Sequence, residues 1–126
     1  MAKRKTIHIP GMEHSAPIPN GVVIGNMIFS SAISGKDAKT GLLSPDPDEQ
    51  AEAMFSNLGL FMEKAGGNPD HIAHMTVFLR EEKYRDSVNK AWLKVFPDDH
   101  DRPARHALKA ELRGDVLFQI EVIAVL

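Results

Sequence analysis

Three polar side chains near the C-terminal end have types and spacing that could do chemistry. Arg105 follows Pro103-Ala104 at the start of a predicted strand, and Gln119 and Glu121 sit two apart in the apolar run 115–125. Strand alternation puts Gln119 and Glu121 on one face. A guanidinium fork near strand-borne polar groups suits the binding of a carboxylate. The competing reading pairs Arg105 with Glu111, Glu121 or a surface acid, and spacing alone leaves both open.

Other candidates carry less. The histidines His8, His14, His71, His74, His100 and His106 form no i, i+4 pair. His71 and His74 fall on opposite faces of a strand, so no metal site is expected. His14 lies in a loop braced by Pro17 and Pro19, from which it could reach a pocket, and an imidazole suits proton transfer near neutral pH. His106 is next to Arg105 but should point to the other strand face. Ser30 and Ser31 end a strand and lack a Gly-x-Ser-x-Gly elbow, so strand-end hydrogen bonding is preferred over nucleophilic catalysis. One of them could still touch a ligand. The glycines form neither a P-loop nor a Gly-x-Gly-x-x-Gly pattern. Cysteine is absent, which excludes disulfides, thiolate catalysis and Cys-zinc sites.

The elements that must position these groups follow from periodicity. Short strands are predicted at 6–9, 21–24 and 27–32, the last two joined by Gly25-Asn26 as a hairpin. A helix follows from Pro47 to Ala65, with Asp46 as its cap and Gly66-Gly67 as its stop. Ala51, Met54, Phe55, Leu58, Phe61, Met62 and Ala65 make its apolar face. A strand at 71–79, a helix at about 83–96, and strands at 104–111 and 115–125 complete the order β-β-β-α-β-α-β-β. The last two strands are expected to pair as a hairpin around Arg113-Gly114. One face of 115–125 carries Val116, Phe118, Ile120, Val122 and Ala124, and the other carries Leu117, Gln119, Glu121, Ile123 and Val125. Both faces are largely apolar, but two helices cover only one face of a sheet. A partner subunit is the simplest cover for the second, so a homo-oligomer is expected.

Composition sets the frame. The 126 residues, 43% hydrophobic and 25% charged, fit one globular domain, 1–126, with a real core. A net charge of −2 gives no bulk attraction for nucleic acid or anionic membrane. Lys3-Arg4-Lys5 reads as a solvated tail. Sparse aromatics, not interleaved with basic residues, argue against a platform for single-stranded nucleic acid. No signal peptide or long apolar run is evident, and a cytoplasmic location is expected.

A wider pattern resembles a known family. Gly25-Asn26-Met27-Ile28-Phe29-Ser30-Ser31, Thr40-Gly41, Glu49-Gln50, Asn57-Leu58, Ala65-Gly66, Thr76-Val77-Phe78-Leu79, Val88-Asn89, Pro103-Ala104-Arg105 and Ile120-Glu121-Val122-Ile123-Ala124 occur in the order seen in the RidA/YjgF/L-PSP family. The resemblance covers almost the whole chain. It implies a chorismate-mutase-like α+β fold and a homotrimer, with sheets inside, helices outside and clefts between subunits. It further implies hydrolysis of 2-imino or 2-enamino acids to 2-keto acids and ammonia, without metal or organic cofactor. Arg105 would hold the substrate carboxylate. Backbone near Ala107 and the strand end at Ser31-Ala32 would line the cleft, and Asn89 matches a family asparagine whose plain role is capping or packing.

The departures from the family pattern fall near the chemistry. Ala16-Pro17-Ile18 replaces the usual Gly-Pro-Tyr, so Ile18 stands where a cleft tyrosine is common. Gln119-Ile120-Glu121 replaces Glu-Ile-Glu. Gln119 cannot accept a proton as a general base, but it can orient water or an imine nitrogen. The segment between Arg105 and Gln119 is one residue shorter. Replacement bases are Glu121, His14 and, third, Glu111. Three functions follow: an imine or enamine deaminase, a non-catalytic trimer that binds small carboxylates, and an endoribonuclease or translation inhibitor. The acidic charge and the missing aromatic platform weigh against the last.

Overall fold

The structure, a computed structural model, describes residues 3–126. Its strands are β1 (Lys5–Ile7), β2 (Gly21–Ile24), β3 (Met27–Ser30), β4 (Ile33–Ser34), β5 (Ile72–Leu79), β6 (Ala104–Lys109) and β7 (Phe118–Val125). Its helices are α1 (Pro47–Lys64) and α2 (Arg85–Val95), with single 3-10 turns at Pro69–His71 and Glu82–Tyr84. All the strands join one mixed sheet ordered β1-β2-β3-β7-β5-β6, with β4 continuing the β3 side of β7.

The helices form where periodicity places them. Met54, Leu58, Phe61 and Met62 of α1 are fully buried. Burial of each such side chain contributes about 1.5–3 kcal/mol. Val88, Ala91 and Trp92 bury the matching face of α2. Pro47 opens α1, and at its other end Gly66 adopts φ +94 while the Gly67 N–H donates to the Met62 carbonyl at 2.9 Å. That is the 6→1 bond of a Schellman stop. Asp46 occupies the N-cap position, but its side chain makes no capping bond, contrary to expectation. Between β2 and β3, Gly25 has φ +59, which a type II′ hairpin turn needs at its first central position.

Three expectations require correction. First, β6 and β7 are not a hairpin. β5 lies between them, parallel to β6 and antiparallel to β7. The connection 110–117 instead crosses the end of β5, where Ala110 N–H donates to Leu79 O and Arg80 N–H to Leu117 O, both at 2.8 Å. Second, the expected strand 27–32 is broken. Phe29 pairs with Ile123 and Ile33 with Ile120, so residues 30–32 stand opposite only 121 and 122. This is a bulge, and the Val122 N–H it frees donates to Ser30 Oγ at 2.9 Å. Third, His71 belongs to a 3-10 turn rather than a strand, its Nδ1 accepting the Asn68 N–H at 3.1 Å.

The sheet has one covered face and one open face. Phe118, Ile120, Val122 and Ala124 of β7 are buried beneath the helices, as are Met75 and Val77 of β5. The opposite face presents Ile123 and Val125, 37% and 40% exposed, beside Ile24 and Met27, 37% and 38% exposed. Strand register makes these neighbours, because Met27 pairs with both Ile24 and Val125. No helix among the described residues is long and apolar enough to cross a membrane.

Candidate functional site

Arg105 is the second residue of β6, after Pro103-Ala104, and stands opposite Met75 of β5, so it points to the helix side of the sheet. There its guanidinium carbon lies 4.8 Å from the centre of the Trp92 ring on α2. Nη2 donates to Asn89 Oδ1, also on α2, at 2.7 Å. A guanidinium over an indole face gains cation–π attraction, and the amide fixes the angle of the fork. Nη1 is buried and makes no hydrogen bond. No salt bridge among the described residues involves Arg105, so pairing with Glu111, Glu121 or another acid does not occur. Burial, and then the charge of Arg85, push its pKa below the ordinary value, yet a guanidinium remains cationic at neutral pH. The result is a held, half-buried cation whose Nη1 group is unspent, which is what a ligand carboxylate would satisfy.

A second cluster forms elsewhere. His14, Ala32 and Gln119 line one cavity of about 500 Å³ together with Ser34, Lys36, Asn57 and Arg113. The bulge at 30–32 turns Ala32 toward it, and Gln119 pairs with Ser34 across β4 and β7. His14 Nε2 is buried without a hydrogen-bond partner. Ile18 is 47% exposed and shares a second cavity, also about 500 Å³, with the same His14. Ser31 Oγ donates to Pro19 O at 2.8 Å and so tethers the 11–20 loop to the end of β3. Both serines make strand-end bonds and neither is set up as a nucleophile.

The expected site residues therefore fall into groups. Arg105, Asn89 and Ala107 belong to the outer strand β6 and to α2, with Ala107 opposite Val77 on the helix side. His14, Ala32 and Gln119 share a cavity, and Ser31 and Ile18 flank it. Arg105 lines neither cavity. Glu121 pairs with Thr76, which also faces His106, so these residues lie on the open face. Glu111 lies in the crossing loop beside Arg80. No cluster of three His, Cys, Asp or Glu side chains among the described residues could hold a metal.

Sequence reasoning missed the residues that build the second cluster. Arg80 Nε donates to Val116 O at 2.9 Å, and its Nη2 donates to Leu112 O at 2.9 Å and Gly114 O at 2.6 Å. One guanidinium thus gathers the loop that carries Arg113. Asn57 Nδ2 donates to the carbonyls of Ser34 and Lys36, both at 2.8 Å. Fully buried Gln50 accepts the Leu117 N–H at 2.8 Å and donates to Ser44 O at 2.8 Å. The Glu49-Gln50 and Asn57-Leu58 pairs of the family pattern hinted at these roles without revealing them.

The model of the endoribonuclease L-PSP family matches residues 12–126. The chain belongs to this family, the RidA/YjgF group. It is 32% identical over 111 residues to a 2-iminobutanoate/2-iminopropanoate deaminase of Salmonella typhimurium, covering 86% of this chain and 87% of that one. It is 34% identical over 112 residues to the RutC family protein UK114 of Drosophila melanogaster, covering 87% and 80%. Among solved structures, the YjgF gene product of E. coli superposes with a TM-score of 0.86 at 31% identity, covering 96% and 98%. E. coli TdcF with bound serine superposes with a TM-score of 0.88 at 27% identity, with the same coverage. The α+β fold of a RidA/YjgF protein, with two helices on one mixed sheet, is thereby established.

Proposed function

We propose that this RidA/YjgF protein hydrolyses small 2-imino acids, or their enamine tautomers, to 2-keto acids and ammonia. The observation that carries the reading is Arg105, a half-buried cation with an unsatisfied Nη1 and no acid partner. Relatives named as iminobutanoate/iminopropanoate deaminases, and a neighbour holding serine, support a small ligand with a carboxylate. Water adds to the imine carbon, a proton reaches nitrogen, and the carbon–nitrogen bond breaks to release ammonia. Much of the acceleration can come from positioning a reactive imine beside water, which needs little acid–base assistance. Gln119 orients the water or the imine nitrogen through its amide, and His14 or Glu121 moves the proton. Asn89 aims the fork of Arg105, while Ile18, Ser31, Ala32 and Ala107 shape the cleft.

The same reading calls for a homotrimer. Arg105 sits on the helix side of the outer strand, while Gln119 and His14 open a separate cavity. A cleft between two copies brings the two groups onto one ligand. Covering Ile24, Met27, Ile123 and Val125 supplies the drive for such assembly.

Ammonia release from freshly generated 2-iminobutanoate tests the function. Turnover that Arg105→Ala abolishes supports it. If the carboxylate binds to Arg105 but no ammonia forms, the protein is instead a non-catalytic carboxylate-binding trimer, a reading motivated by the neutral Gln119. RNA cleavage that tracks the purified protein and disappears in Arg105→Ala would point to the third function.

A further inference from the structure

We propose that the cavity beside Gln119 recognises a second anionic group, making the preferred substrate an imino acid with an acidic side chain. This rests on the imine-hydrolase reading and extends it to substrate class. Lys36 and Arg113 line the cavity, and neither forms a salt bridge among the described residues. The acid that shares the lining, Glu13, turns both carboxylate oxygens back to the Gly11 N–H at 3.1 and 3.0 Å. The lining remains net positive.

Both cations stand on backbone that other side chains hold in place. Arg80 binds carbonyls on either side of Arg113, at Leu112 and Gly114. Asn57 binds the carbonyl of Lys36 itself. Anchored backbone lowers the ordering cost of gripping a ligand, which distinguishes these cations from lysines and arginines on free loops. On the far side, Gly11 has φ +87, and a Cβ there would fall 2.2 Å from the Ala38 carbonyl oxygen. The wall is therefore packed to backbone contact.

Gln119 gains an explanation from this setting. A glutamate there would cancel much of the positive lining and repel an incoming carboxylate. The neutral amide does neither and offers N–H donors. A cavity of about 500 Å³ accommodates a four- or five-carbon diacid. The reaction then consumes an imino diacid and one water and yields a 2-oxo diacid and ammonia. The water oxygen becomes the keto oxygen, and its protons leave on nitrogen.

Calorimetry with the stable products 2-oxoglutarate and 2-oxobutanoate tests the preference without interference from spontaneous imine hydrolysis. The diacid should bind about tenfold more tightly, the effect of one additional partly screened ion pair at about 1.4 kcal/mol. Arg113→Ala and Lys36→Ala should each cut that ratio severalfold, and Arg113→Lys should retain part of it. Ammonia release from imines of acidic and aliphatic amino acids should show the same ranking. Equal or tighter binding of 2-oxobutanoate, or a ratio unmoved by both alanine variants, overturns the proposal. Arg105→Ala separates the two levels. If it weakens both ligands and the parent binds the two equally, the carboxylate anchor stands and the acidic preference falls. If it weakens neither, the underlying site reading falls as well.

Discussion

At the scale of single residues, the proposed hydrolysis divides between Arg105 and Gln119. The Arg105 fork spends one arm on Asn89 and leaves the other unpaired. Removing the fork should reduce kcat/KM for imine hydrolysis by about thirtyfold or more, since losing one partner of a buried charge pair costs about 2–5 kcal/mol. Asn89→Ala should cost less, about tenfold, because it loosens the aim without removing the charge. Steady-state ammonia release measures both. Sequence made Arg105 legible through its proline-led strand entry and family motif. It could not show that no acid competes for the guanidinium, because that depends on which strand face and which helix it meets. Register with Met75 settles the face, and Trp92 with Asn89 supplies the helix.

At the scale of elements, helices were the most legible because their apolar period is local. All seven predicted core positions of α1 are buried. Strand partners were less legible. Arg113-Gly114 has the look of a hairpin turn, but turn chemistry says nothing about a third strand inserting between the two it joins. β5 does so, and Arg80 and Gln50 then tie the crossing loop down. Gln50→Leu should destabilise the fold by about 2–4 kcal/mol in denaturant melts, since it orphans the partly buried Leu117 N–H and removes the donor to Ser44. The two helices are joined by Asp48, whose carboxylate accepts from Ser87 at 2.6 Å and Lys90 at 3.0 Å. The Ser87 hydroxyl first, and Lys90 second, hold its pKa below the ordinary carboxylate value. A depressed folded pKa means that this tether stabilises above the unfolded value, about 3.9, and is lost as pH falls through the folded one. Ser87→Ala should therefore lower stability at pH 7, and its difference from the parent should shrink in melts at pH 2–3.

At the scale of the molecule, the open sheet face and the separation of Arg105 from the Gln119 cavity both fit the proposed trimer. Ile24, Met27, Ile123 and Val125 are each more than a third exposed, and they adjoin through strand register. A charge placed there, as in Ile123→Glu, should convert the proposed trimer to monomers in light-scattering mass measurements and abolish the proposed hydrolysis, although Arg105 is untouched. The apolar character of this face was visible from alternation in the last strand. The separation of Arg105 from the Gln119 cavity was not, because it follows from β5 standing between β6 and β7. The central claim is that one ligand bridges Arg105 of one copy and the Gln119 cavity of another. A crystal structure with bound 2-oxobutanoate tests it most directly. The account predicts a trimer with the ligand carboxylate within hydrogen-bond distance of Arg105 Nη1 and Gln119 of a second copy facing the keto carbon. A carboxylate bound away from Arg105, or a complete site within one chain, would contradict it.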